Sequence, residues 1–103
     1  MRIGIDLGGT SVAVGLVDDE YNVLYRTSAK TAGCKTDSEL FEIINKCVYE
    51  LFEISDISND KIDSIGIGCP GSTDLERGLV VRSGNLPLSN SPVVSILTEE
   101  FKK

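Results

Sequence analysis

A chain of 103 residues with 41% hydrophobic and 25% charged residues has the balance of one small folded domain and excludes an intrinsically disordered one. Sixteen acids against ten scattered bases give a formal charge of −6, which argues against a nucleic-acid-binding face, because that affinity comes from Lys and Arg clustered on phosphates. Cys34, Cys47 and Cys69, without any histidine, match no zinc or redox spacing, and an odd, widely spaced set reads as reduced thiols in a cytosol.

In chain order, Arg2 to Leu7 reads as a strand, with Ile3, Ile5 and Leu7 on one face, and Gly8-Gly9 forces a turn. Ser11 to Asp18 is a second strand. Val12, Val14 and Leu16 line one side and Ala13, Gly15 and Val17 the other, so cover on both faces is expected. Asp18 to Asn22 is a polar turn, and Val23 to Lys30 a third, more polar strand nearer an edge. Such short links make an antiparallel meander. Thr36-Asp37-Ser38-Glu39 fits a capping box, and Leu40, Ile44, Cys47, Val48 and Leu51 recur at helical spacing behind it. Ile62 to Cys69 is a fourth strand. A helix between strands three and four implies a crossover that lays strand four parallel to strand one.

Pro70-Gly71-Ser72 reads as loop, Leu79-Val80-Val81 as a short strand, and Ser83 to Pro87 as loop again. Ser91-Pro92 reads as an N-cap with proline at the first helical position, opening a helix that ends near Lys103. Cys47, on the apolar helical face, and Cys69, after a strand, are expected in or near the core. No apolar run approaches the roughly 20 residues of a membrane helix. Asp6 interrupts the apolar opening, so no targeting segment is read, and the cytoplasm is the expected compartment.

The chemistry concentrates in Asp6-Leu7-Gly8-Gly9-Thr10-Ser11, at the tight link between two strands. Glycines let backbone amides approach a phosphate closely. Thr10 and Ser11 add hydroxyl donors, and a strand-end carboxylate such as Asp6 can hold Mg²⁺ directly or through water. A hairpin turn with a capping Asp is the alternative from the turn alone, since Gly-Gly turns are common. The spacing is neither a Walker motif nor a dinucleotide fingerprint, because a strand follows, not a helix.

Ile3-Gly4-Ile5-Asp6-Leu7-Gly8-Gly9-Thr10 followed by Val14-Gly15-Leu16-Val17-Asp18 resembles the phosphate-1 hairpin of the ROK sugar kinases. Ile65-Gly66-Ile67-Gly68-Cys69-Pro70-Gly71 resembles that family's glycine-rich strand and turn, and Gly78-Leu79-Val80 and Asn85-Leu86 fall where it has Gly-x-Val and Asn-Leu. The resemblance runs in order over residues 1–103. It implies an α/β fold: a partial N-terminal lobe of the actin-like ATPase (ribonuclease H-like) class, with a three-stranded antiparallel meander, crossover helix, parallel fourth strand and C-terminal helix. The second lobe is expected outside these residues.

The same resemblance implies an ATP-dependent hexose kinase, glucokinase- or fructokinase-like. Gly8, Gly9, Thr10 and Ser11 would face the ATP phosphates, Asp6 would serve Mg²⁺, and Gly71, Ser72 and Asn85 would lie by the sugar. Pro70-Gly71 and Asn85 are equally turn formers by residue type. Ser11 stands where many members carry Lys or Asn. The family's general base is an Asp in an Asn-Asp strand expected beyond Lys103, as are its second phosphate loop, adenosine site and zinc site, so no catalytic residue is assigned here and the isolated chain is expected to be inactive. Asp74 and Glu76 lie near the sugar-side loop but read as solvated turn carboxylates.

Other readings stand beside this one. A non-catalytic sugar-binding or regulatory ROK module is an alternative. Family repressors carry a DNA-binding domain in front, and the hairpin starts directly after Met1, so no such domain and no nucleic-acid partner are expected. Dehydratase activators share an Asp-x-Gly hairpin but follow it with a cluster of Thr or Ser. The expected partners are a small sugar and ATP, with no membrane partner. The fourth strand is expected to leave an open sheet edge through which copies of the chain self-associate.

Overall fold

In the computed structural model, which describes residues 1–82 and 86–103, the period-two apolar pattern of the first thirty residues becomes the expected meander. Strands β1 (Arg2–Leu7), β2 (Ser11–Val17) and β3 (Val23–Lys30) pair antiparallel in sequence. Ile3, Ile5 and Leu7 of β1 and Val12, Val14 and Leu16 of β2 are all buried on one face. Helix α1 (Asp37–Ser55) supplies the opposing layer, burying Leu40, Phe41, Ile44, Cys47, Val48 and Leu51. Its start follows from Thr36, whose hydroxyl oxygen accepts the Glu39 amide at 3.2 Å. The Glu39 carboxylate accepts the amide of Lys35 at 2.9 Å, one residue before the cap. A left-handed Asp56 (φ 56°) closes the helix.

After a short 3₁₀ turn (Asn59–Lys61), β4 (Ser64–Gly68) returns parallel to β1, pairing Ile3 with Ile65 and Ile5 with Ile67. The sheet order is β3-β2-β1-β4, which leaves β3 and β4 as the outer strands. A second, three-stranded antiparallel sheet follows: β5 (Ser72–Asp74), β6 (Leu79–Arg82) and β7 (Ser89–Ser91). Helix α2 (Val93–Phe101) buries Val93, Leu97 and Phe101. Its end is pinned to α1 and to the 3₁₀ turn. The Phe101 ring lies 5.4 Å from Tyr49 and 6.5 Å from Phe52, the Tyr49 hydroxyl donates to Glu100 at 2.6 Å, and Asn59 Nδ2 donates to the Phe101 carbonyl at 2.8 Å.

Four expectations are corrected. The second strand ends at Val17 and is not covered on both sides: Ala13, Gly15 and Val17 are only half-buried. The reason lies in its neighbours. Gly66, Gly4 and Gly15 stand abreast on β4, β1 and β2, and a Cβ added at Gly4 or Gly66 would meet nothing within 4 Å, so this face has a bare backbone floor. The fourth strand is shorter than 62–69, because the 3₁₀ turn holds Ile62 outside the ladder. Ser72 is not loop. It opens β5, paired with Arg82, in a strand of Ser, Thr and Asp without apolar signal. Ser91 is not the helix cap. It ends β7, and its buried hydroxyl donates to Asp37 Oδ2 at 3.1 Å, so Pro92 takes the N-cap position without a side-chain hydrogen bond.

Candidate functional site

Because β1 and β4 are parallel, with Asp6 opposite Gly68, the loops that follow them leave the sheet at the same end. Carboxyl ends of parallel strands are where open α/β sheets present ligand sites. The structure therefore brings the Gly8–Ser11 hairpin and the Cys69–Ser72 segment to one edge, as the two glycine motifs anticipate.

The hairpin is closed by the Gly8 amide, which donates to the Ser11 carbonyl at 2.8 Å. A Cβ at Gly8 would stand 3.2 Å from that same oxygen, which explains glycine there. The Thr10 carbonyl accepts two amides, from Thr31 at 3.0 Å and Ala32 at 3.3 Å. The Thr31 hydroxyl donates to the Gly8 carbonyl at 3.4 Å. Gly8 and Gly9 are half-buried, while Asp6, Thr10 and Ser11 are exposed. Asp6 is on the glycine-floored face, beside an open concavity of about 420 Å³ that also reaches Arg26. Thr31 was not singled out from the sequence. Its signal there is slight: a lone Thr one residue past an edge strand, yet only 2% exposed in the fold.

On the other side, Gly71 has φ 96°, a left-handed turn position that favours glycine. Gly71 and Ser72 are both exposed. Asn85 lies outside the described residues. Asp74 acts as a turn residue, accepting the Arg77 amide at 3.1 Å and lying 3.9 Å from its guanidinium. Glu76 is exposed in the same turn. A separate pocket of about 250 Å³ lies between the β5–β6 hairpin and α2, with Cys69 and Ile67 in its wall. Burial pushes the Cys69 thiol above its ordinary value, and burial does the same to Cys47, helped by Glu50. All three cysteines are free, Cys47 buried and Cys34 and Cys69 half-buried.

Among the described residues, no group of three or more His, Cys, Asp or Glu side chains is placed to hold a metal ion. Asp6 is a single exposed carboxylate at the strand end before the hairpin, a donor set compatible with a largely hydrated Mg²⁺ and not with a protein-caged cation.

A four-stranded mixed sheet with a crossover helix and a glycine hairpin after its first strand is the N-terminal lobe architecture of actin-like sugar kinases. The ROK family model matches residues 2–103, and the chain belongs to that family. It is 35% identical over 102 residues to a glucokinase of Thermotoga maritima, covering 98% of this chain and 29% of that protein. It is 30% identical to an N-acetyl-D-glucosamine kinase of Citrobacter koseri over 103 residues, 32% of that protein. Among solved structures, a ROK family glucokinase from Streptomyces griseus in complex with glucose and AMPPNP superposes with a TM-score of 0.80 at 26% identity, over 98% of this chain and 30% of that one. A ROK hexokinase from Thermus thermophilus superposes at 0.85, also at 26% identity, over 99% and 32%. The chain thus spans under a third of the length of these relatives.

Proposed function

We propose that the chain is the phosphate-holding part of an ATP-dependent hexose kinase, glucokinase- or fructokinase-like. The observation that carries this is the Gly8–Ser11 hairpin, whose Gly8 and Thr10 carbonyls are engaged by residues 31 and 32, while Thr10 and Ser11 are exposed. Such turns form concave anion sites. In this reading Gly8, Gly9, Thr10 and Ser11 face the ATP phosphates, Asp6 orients Mg²⁺, and Gly71, Ser72 and Asn85 border the sugar. Magnesium, when bound, neutralises charge on the transferring phosphoryl group. The two ligands named in the Streptomyces griseus structure, glucose and AMPPNP, support this pairing of substrates.

Phosphoryl transfer also needs a base for the acceptor hydroxyl. We assign none in this chain. Asp74 is tied to Arg77, and the base is proposed to belong to sequence outside residues 1–103, together with the second lobe. The 103 residues alone should therefore bind and not turn over. Amide NMR shifts at Gly8–Ser11 on titration with Mg·ADP, and at Gly71–Ser72 with glucose, are the expected result. Sugar-dependent ADP production by the pure chain would overturn the assignment.

Two further parts of the reading concern surroundings. No helix among the described residues is long and apolar enough to cross a membrane, and a cytoplasmic site of action is proposed. Strand β4 forms a sheet edge, and exposed edges template pairing with another copy, so self-association is expected at high concentration. A monomeric mass by light scattering would refute it.

A further inference from the structure

The functional reading gives the Thr31 side chain no role of its own, yet Thr31 bonds the candidate loop twice, through its amide and its hydroxyl. A phosphate-binding turn works only if its amides face the anion and its carbonyl oxygens, which would repel it, face away. In this hairpin both inward carbonyls are held by the chain just beyond β3. The Thr10 oxygen takes the Thr31 and Ala32 amides, and the Gly8 oxygen takes the Thr31 hydroxyl. The Gly8 amide is spent on Ser11, whereas the Gly9 and Ser11 amides, which share peptide planes with those two carbonyls, make no turn hydrogen bond among the described residues.

The side chain that does this is 2% exposed, and the Gly8 carbonyl is its hydrogen-bond partner. A buried hydroxyl needs such a partner. Removing it leaves the carbonyl of half-buried Gly8 without that donor, so the peptide gains a reason to rotate its oxygen toward solvent. That rotation points the oxygen into the volume an anion would take.

We propose that Thr31 is a positioning residue for the phosphate loop: through its hydroxyl and amide it fixes the Gly8 and Thr10 carbonyls inward and so presents the Gly9 and Ser11 amides, which share their peptide planes, to a phosphate. This rests on the reading of Gly8–Ser11 as a phosphate loop. Val at this position keeps the shape and the backbone bonds and removes only the hydroxyl, and Ser restores it.

The test is a titration of the ¹⁵N-labelled 103-residue chain with Mg·ADP, for wild type, Thr31→Val, Thr31→Ala and Thr31→Ser. In the wild type, Gly9 and Ser11 amides shift and saturate. Thr31→Val and Thr31→Ala weaken the Kd about fivefold, the scale of one net hydrogen bond, and move the Gly9 and Ser11 resonances of the free chain while those of α1 stay in place. Thr31→Ser returns to wild-type Kd. An unchanged Kd in Thr31→Val, or a Thr31→Ser variant as weak as Thr31→Val, overturns the proposal and leaves the phosphate-loop reading intact. Unfolding of both hydroxyl-free variants also overturns it, because the hydroxyl then holds the fold rather than the loop. No response of the wild-type hairpin to Mg·ADP refutes the phosphate-loop reading itself, and the positioning role falls with it.

Discussion

Gly78 sits where the β5–β6 hairpin meets α2, and replacing it with alanine tests that junction directly. Its φ is 65°, and a Cβ there would stand 2.8 Å from Val94 Cβ and 3.0 Å from Val94 Cγ2. The two backbones are also joined, since the Val94 amide donates to the Gly78 carbonyl at 3.2 Å. The clash therefore cannot be relieved by a side-chain rotation alone: Val94 Cβ is fixed to the helix, and the hairpin is tied to it. A non-glycine residue in the left-handed region costs about 1–2 kcal/mol, and forced overpacking about 1–3 kcal/mol. Against these, alanine lowers the entropy of the unfolded chain by about 0.4–1 kcal/mol. Gly78→Ala should therefore destabilise by about 2–3 kcal/mol, a large fraction of the ~5–15 kcal/mol typical of a domain. Urea unfolding followed by circular dichroism measures it. A double-mutant cycle with Val94→Gly isolates the contact, because glycine at 94 removes both clashing carbons. A change below about 0.5 kcal/mol for Gly78→Ala, or strict additivity in the cycle, would refute the close approach as the reason for glycine here.

Three other outcomes follow from particular contacts. Thr36→Ala removes the hydroxyl that accepts the Glu39 amide and should cost about 1 kcal/mol in urea unfolding. Asp18 accepts the Asn22 and Glu20 amides, each at 2.9 Å, and the Asn22 amide foremost lowers its carboxyl below the ordinary aspartate value. The folded value being the lower one, this stabilisation is present above about pH 3.9 and is lost as pH falls through the folded value, so a ¹³C carboxyl titration should place Asp18 below ordinary aspartates and Asp18→Asn should flatten that part of the acid limb. Burial raises the thiols of Cys47 and Cys69, which reduces their thiolate fraction. Iodoacetamide at pH 8 should accordingly modify Cys34 first, and equal rates at the three cysteines would contradict the burial.

The central fold was legible because its elements carry strong periodic signals. Ile3, Ile5 and Leu7 against Val12, Val14 and Leu16 fix two strands and their common buried face, and Thr36 with the Leu40–Leu51 spacing fixes the helix. The second sheet was not legible in full. Ser72–Asp74 and Ser89–Ser91 are three-residue strands of polar side chains, and their pairing with β6 is decided by tertiary context, which period-two patterns do not encode. Ser91-Pro92 misled for a related reason. Serine before proline satisfies the rule for a helix start, but here the serine hydroxyl is committed to Asp37, 54 residues away.

The candidate site divides along the same line. The phosphate contacts proposed for this hairpin come largely from main-chain amides, and a backbone-built site leaves its trace as glycines, which sequence displays plainly. What aims those amides is a contact across 23 residues, between the Thr31 hydroxyl and the Gly8 carbonyl, and it leaves no local trace because any strand end tolerates a threonine. The sugar side is the reverse case. Its proposed contacts come from side chains on loops, Ser72 and Asn85, and residues of those types stand in turns for reasons unconnected with a ligand. Motif reading is therefore strongest where the chemistry is done by the backbone. It weakens as chemistry passes to individual side chains, so substrate identity in this chain has to be decided by titrating sugars and not by adding motifs.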